Sequence, residues 1–272
     1  MKSIRKKGKY GLSNCIIDQL QAYIALVSLS LRDSYLVDCC SLISEQAVDI
    51  CKDHAQNVFI LTLNQDLFII NTSVFLAKLT NNSSILMVVD VDCSEPNLVE
   101  NELAKNYFIK LIELFQPIAN ILSQADGKEV LAFDLPPDDC LLFGGLPLLA
   151  GFLLGYPCLY MSTTPANCLA MRPLTQVSYT VTSATPSSAS TSADSIDSQV
   201  FTIPSSILEH DPDLSTTLHT HLQTRLVYLQ SLLLPPCHGT KSSGTSNGRC
   251  YCSSHYIVNL SVETKCMPSL SL

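Results

Sequence analysis

Three apolar runs in the chain end in aspartate. SYLVDCC (Ser34–Cys40) closes on Asp38. SSILMVVDVDC (Ser83–Cys93) closes on Asp90 and Asp92. EVLAFDLP (Glu129–Pro136) closes on Asp134, with Asp138 and Asp139 just beyond. In open α/β sheets, ligands bind outside the carboxyl ends of parallel strands, so parallel neighbours would gather these carboxylates. Close carboxylates repel one another unless a cation or a shared proton offsets the charge. Mg²⁺ or Mn²⁺ takes carboxylate oxygens, keeps waters and can activate one of them for hydrolysis. Asp90, Asp92 and Asp134 are therefore the candidate metal ligands, with Asp38 assisting. The chemistry implied is divalent-metal-dependent hydrolysis of a phosphorylated or other small substrate. The competing reading is that aspartate simply caps whatever helix follows a strand.

The same places repeat Asp-Cys, at Asp38-Cys39, Asp92-Cys93 and Asp139-Cys140. A cysteine at a helix N-terminus can act as a nucleophile, and Cys140 is the best placed. An adjacent aspartate disfavours the thiolate, and the first 200 residues hold one histidine, His54. Buried, inert thiols are the expected outcome. Farther on, Cys237, Cys250, Cys252 and His255 fall close together. Thiolates and imidazoles can hold Zn²⁺, but the C-x₂-C knuckle is absent, so a Gly/Ser-rich loop that happens to carry cysteines is expected there. No P-loop, G-x-G-x-x-G or H-E-x-x-H is present.

These residues need strands and helices to position them. Ser13–Leu31 has the spacing of an amphipathic helix, with Ile16, Ile17, Leu20, Ile24, Val27 and Leu31 on one side. Ser44–Gln56 reads as a helix with Ser44 as N-cap, and Val58–Leu63 as a strand. The segment after it fits strand and helix equally. Ile85–Val89 is fully apolar, as in strands covered on both faces. Asn97–Glu100 spells a capping box, opening a helix to about Phe115 that Pro117 should end or kink. Glu129–Pro136 is the next strand. Ala166–Thr182 is β-like. Asp211–Leu234 carries leucines in helical register, and Tyr256–Val262 alternates as a half-buried strand.

From Cys140 to Met161 the chain has no charged residue. The run is long enough to span a bilayer, but Gly144, Gly145, Pro147, Gly151, Gly155 and Pro157 interrupt it, and no Lys or Arg lies between Lys128 and Arg172. A membrane span has no use for those breakers and needs basic flanks. A soluble reading uses each breaker. Gly144–Gly145 turn, Pro147 starts a short buried helix over Leu148–Leu154, Gly155 caps it, and Cys158–Ser162 is a strand. The expectation is a compact βαβ crossover.

LAFDLPPDDCLLFGGLPLLAGFLLGYPCLYM, from Leu131 to Met161, resembles the signature region of a small, uncharacterised eukaryotic protein family of unknown function. The YLVD and ILMVVDVD segments are similar to it as well. The likeness is strongest over residues 80–165 and weak after 180, and the Ser-rich segment at 183–199 looks like an insertion. The resemblance implies no activity, cofactor or catalytic residue.

Strands alternating with helices predict an α/β fold: a mixed, largely parallel sheet covered by helices on both faces, in a single main domain. Residues 1–12 form a basic flexible N-terminus and 13–182 the α/β core. Residues 183–199 are a Ser-rich disordered insert, and 200–272 supply a C-terminal helix and strand that complete the core. Of the 16 basic residues, Lys2, Arg5, Lys6, Lys7 and Lys9 sit at the start; without those five the net charge of −8 becomes −13. So acidic a body is a poor match for a phosphate backbone, and no nucleic-acid partner is expected. No cleavage site follows the basic start. The twelve cysteines are scattered through the chain, which points to reduced thiols and a cytoplasmic or nuclear protein. The leading functional expectation is a non-catalytic interaction protein with a protein partner. The alternative is the metal-dependent hydrolase.

Overall fold

The computed structural model describes residues 9–80, 87–93, 95–136, 144–162, 173–183, 195–232 and 256–266. Helix α1 (Asn14–Ser28) starts where Ser13 accepts the Ile16 N–H at 3.3 Å, a side-chain N-cap. Strand β1 (Ser34–Leu36) follows, then α2 (Ser44–Cys51). Ser44, expected as the N-cap, is instead the first helical residue, and its hydroxyl lies 3.0 Å from Thr62 Oγ1. Strands β2 (Val58–Leu63) and β3 (Asp66–Asn71) form a hairpin, and α3 (Thr72–Thr80) continues directly from β3. The ambiguous segment is thus strand first and helix second. Its turn, Asn64–Gln65, has φ of 51° and 88°. Both being positive is the backbone of the tight hairpin turn whose twist suits paired strands.

Strands β4 (Met87–Asp90) and β5 (Asn97–Leu98) lead into α4 (Asn101–Gln124). Two expectations change here. Asn97 belongs to a strand rather than a capping box, and Glu100 stands at the N-cap without a side-chain bond. Pro117 does not end the helix. Leu111, Phe115, Ile118, Ala119 and Leu122 are all buried along one side of it. Apolar burial on both sides of the proline outweighs its missing hydrogen bond, worth roughly 3 kcal/mol.

Strand β6 (Ala132–Leu135), helix α5 (Leu146–Leu154) and β7 (Cys158–Met161) come next. Pro147 stands in the first turn of α5, and Gly155 caps it at φ 76°. Gly145 is required by close approach as well as by its φ of 90°, because a Cβ there would lie 1.8 Å from Ser162 O. Strands β8 (Pro173–Ser183) and β9 (Ser195–Pro204), helices α6 (Ser205–His210) and α7 (Pro212–Leu232), and β10 (Tyr256–Cys266) complete the order. The ends of the Ser-rich segment, Ser183 and Ser195–Gln199, therefore lie in strands; 184–194 fall outside the described residues. Among the described residues no helix is long and apolar enough to cross a membrane.

The strands make three sheets, in the orders β1-β3-β2-β6, β5-β4-β7 and β10-β8-β9. Pairings β2–β6 and β4–β7 are parallel, and the other five are antiparallel. Among the described residues the sheets are mixed rather than largely parallel. The expected crossover from β6 to β7 also fails, because β6 joins β2 while β7 joins β4. Hydrophobicity marks a strand as buried without saying which strand it pairs with.

Side chains alternate across β2. Phe59, Leu61 and Leu63 pack in one cluster with Phe75 of α3, Phe115 of α4 and Phe152 of α5. Val58 and Ile60 pack in another with Leu20, Ile24 and Val27 of α1 and Ala47 and Cys51 of α2. A run of rings ties the first cluster together: Phe59–Phe75 at 5.0 Å, Phe75–Phe115 at 5.5 Å and Phe115–Phe152 at 5.6 Å between centroids. Such pairs add to simple burial. A third cluster joins Met87 and Val89 of β4 to Leu174, Val177, Phe201 and Ile203 of β8 and β9 and to Leu218, Leu222 and Leu229 of α7.

Candidate functional site

The parallel pair β4–β7 ends beside the Gly144–Gly145 turn. Asp90 lies opposite Met161 in the register, and Ser162 N–H donates to Gly144 O at 3.0 Å. Asp90 and Asp92 are brought together there, and their oxygens are engaged locally. Asp92 N–H donates to Asp90 Oδ1 at 2.9 Å, the Cys93 thiol reaches Asp90 Oδ2 at 3.6 Å, and the Ser162 hydroxyl donates to Asp92 Oδ1 at 2.8 Å. The sequence, which sets them two residues apart, already makes them neighbours. It did not anticipate Ser162, the group that ties the end of β7 to the loop after β4.

Asp134 does not join them. It sits on β6, opposite Thr62 of β2, in the four-stranded sheet. Asp38 lies just past β1, at the other edge of that sheet. Strands β1, β2 and β6 run in one direction, so Asp38 and Asp134 share an end, but three inter-strand steps separate them by roughly 14 Å. Among the described residues, no group of three or more His, Cys, Asp or Glu is placed to hold a metal ion. The expected convergence of Asp38, Asp90, Asp92 and Asp134 is thus reduced to one pair, because the strands carrying them divide between two sheets. Cys140, Asp138 and Asp139 lie outside the described residues, as do Cys237, Cys250, Cys252 and His255. So does GTSNG (Gly244–Gly248), which spells the G-x-S-x-G pattern but follows a polar stretch rather than the apolar strand that pattern needs.

The loop after β1 gathers a second polar group. The Tyr35 hydroxyl is within reach of Asp38 Oδ1 at 3.3 Å and Cys39 Sγ at 3.4 Å, and Cys39 and Cys40 have their sulfurs 3.8 Å apart. Burial, with the Cys39 contact adding to it, raises the Tyr35 pKa, so the phenol stays neutral and donates. Burial and the neighbouring Cys39 push the Cys40 thiol up to about 11. Tyr35 stacks on Tyr23 at 4.2 Å, and the Arg32 guanidinium lies 5.4 Å from its ring.

The most buried charges were not anticipated at all. Asp33, 3% exposed, pairs with Lys78 at 2.8 Å and with Arg225 of α7. Lys78, 8% exposed, also donates to Phe152 O at 3.0 Å and Leu153 O at 3.3 Å. Three acceptors around one nitrogen require an ammonium with three donors. The Ser34 hydroxyl donates to Leu153 O at 2.9 Å, so the open carbonyls at the end of α5 are satisfied by β1 and α3. Burial alone would raise the Asp33 pKa, but Arg225 and Lys78 overcome it and hold the carboxyl at about 2. Burial pulls Lys78 below the ordinary lysine range, with Asp33 opposing. Gly155 closes the group from above, since a Cβ there would lie 2.0 Å from Asp33 Oδ2. This is a structural lock: every charge in it is spent on another element of the fold.

No curated protein and no solved structure matches the chain. A family model described as a domain of unknown function, DUF4504, matches residues 2–233. That covers most of the chain and extends well past the segment carrying the resemblance, so the protein belongs to the DUF4504 family, a family of unknown function.

Proposed function

We propose that this protein acts without catalysis, as an interaction protein whose fold holds a binding surface. The observation that carries the reading is where its polar groups spend their bonds. Asp90 and Asp92 accept from their own loop and from Ser162, and Asp33, Lys78 and Arg225 neutralise one another in the interior. Charges whose partners are other elements of the fold hold that fold, and among the described residues no third His, Cys, Asp or Glu is placed to complete an ion site with the strand-end pair.

The outward face of α7 supports binding by a protein. Val227 and Tyr228 are 63% and 44% exposed, and the Arg225 guanidinium lies 5.8 Å from the Tyr228 ring. Tyrosine is among the residues that most often carry interface energy. The reading takes the four-stranded sheet as covered by helices on both faces, supported by the two clusters that divide β2. It also places the protein inside the cell with reduced cysteines, in keeping with the free thiols of Cys15, Cys39, Cys40, Cys51, Cys93 and Cys158.

The test has two arms. Crosslinking in cells followed by mass spectrometry should give the same partners for the wild type and for Asp90→Asn/Asp92→Asn/Asp134→Asn, and should lose them in Val227→Asp/Tyr228→Ala. Thermal unfolding should be unmoved by Mg²⁺ or Mn²⁺. A midpoint that rises with either ion by mass action, and stops rising in Asp90→Asn, would replace this reading with the metal-dependent hydrolase.

A further inference from the structure

Cys39 and Cys40 are consecutive, and consecutive residues of an extended strand point to opposite faces. Here the chain bends at both positions and the two sulfurs face each other at 3.8 Å. They line a cleft of about 360 Å³ that Asp38 and Gln65 also line. Both walls are held. Tyr35, stacked on Tyr23 with the Arg32 guanidinium beside both rings, reaches Asp38 and Cys39. Across the cleft, Gln65 keeps a φ of 88° in the β2–β3 turn, a conformation that persists in a non-glycine residue only where its surroundings impose it.

We propose that Cys39 and Cys40 form a two-thiolate chelating site for a soft, thiophilic metal cation. In tetrahedral thiolate sites the metal–sulfur bond is about 2.3 Å, which sets two ligand sulfurs about 3.8 Å apart. The sulfurs already stand at that separation, so a cation entering the cleft need not move them. Thiolates select soft cations of the Cu⁺ and Zn²⁺ kind over Mg²⁺ and Mn²⁺. Each metal–sulfur bond formed replaces an S–H bond, and two protons leave to solvent. The Asp38 carboxylate adds negative charge at the rim. Among the described residues no third ligand is in place, so the remaining positions belong to water or to a small external ligand. The site is independent of the strand-end carboxylates and of α7, and it stands or falls apart from the proposed function.

Cd²⁺ is the probe, added to the full-length, reduced protein without oxygen. Alkylation by iodoacetamide is followed by mass spectrometry at each cysteine, with the exposed thiol of Cys15 as internal reference. At a free Cd²⁺ concentration tenfold above its dissociation constant, alkylation of Cys39 and Cys40 should slow about tenfold by mass action, with Cys15 unchanged. In Cys39→Ser, Cys40 should recover its metal-free rate. No protection of the pair at any Cd²⁺ ratio overturns the proposal, and that arm needs no substitution that could unfold the protein. Equal protection of Cys40 in Cys39→Ser overturns it as well, because one thiol would then suffice.

Discussion

Replacing Asp33 by asparagine keeps the shape of the side chain and removes its charge, leaving Lys78 and Arg225 as like charges around a neutral amide. Two independent arguments bracket the cost. Asparagine resembles the protonated acid, and the Asp33 carboxyl is held at about 2 against an ordinary 3.8. That gap is worth about 2.4 kcal/mol at neutral pH, which is the lower bound. Removing one partner of a buried ion pair costs about 3–5 kcal/mol because a charge is left uncompensated, which is the upper bound. Against a total stability of about 5–15 kcal/mol, the substitution should remove a large share. Urea unfolding followed by far-ultraviolet circular dichroism measures it, since the chain has no tryptophan to report by fluorescence. The pH dependence gives a second check. A carboxyl with a depressed folded-state pKa contributes stability that is complete above its unfolded value and is lost as pH falls from about 4 to about 2. The wild type and Asp33→Asn should therefore differ by a constant amount from pH 7 to about pH 5 and converge below pH 4. Adding Lys78→Met to Asp33→Asn should recover part of the loss, because it removes the orphaned charge. A cost under about 1 kcal/mol, typical of an exposed pair, would refute the reasoning, as would a difference that does not narrow in acid.

Two further substitutions probe the framework. Gly155→Ala forces a Cβ to within 2.0 Å of Asp33 Oδ2 at a φ of 76°, and should cost about 2–4 kcal/mol from strain and overpacking together; thermal unfolding that leaves the midpoint unchanged would argue against the contact. Pro117→Ala restores a backbone N–H in the middle of α4 at an exposed position, and should stabilise by about 1–3 kcal/mol, measured as a shift of the urea midpoint at constant slope.

Much of the local structure is legible in the amino-acid sequence. The bracket of Pro147 and Gly155 marks α5 within a residue or two, because both act through their own backbone geometry. The apolar period of α1 and the β-branched run of β2 are readable for the same reason. The Asn64–Gln65 turn is less so, since its backbone is of the kind usually built with Asn-Gly. Of the candidate site, the closeness of Asp90 and Asp92 is legible because they are two residues apart, whereas the facing of Cys39 and Cys40 is not, because an extended chain sends consecutive side chains to opposite faces. What no local signal carries is the assignment of strands to sheets. β6 and β7 read equally well as neighbours, yet β6 pairs with β2 and β7 with β4, and that division keeps Asp134 from Asp90.

The buried lock shows the same limit. Asp33 and Arg225 are 192 positions apart, and each reads as an ordinary surface charge in its own segment. Composition and periodicity determine which residues must leave water and which short segments become helix or strand, because those are properties of neighbours along the chain. Only the tertiary structure decides which distant charges meet out of water, where desolvation makes each dependent on the other, and which carboxylates stay too far apart to share an ion.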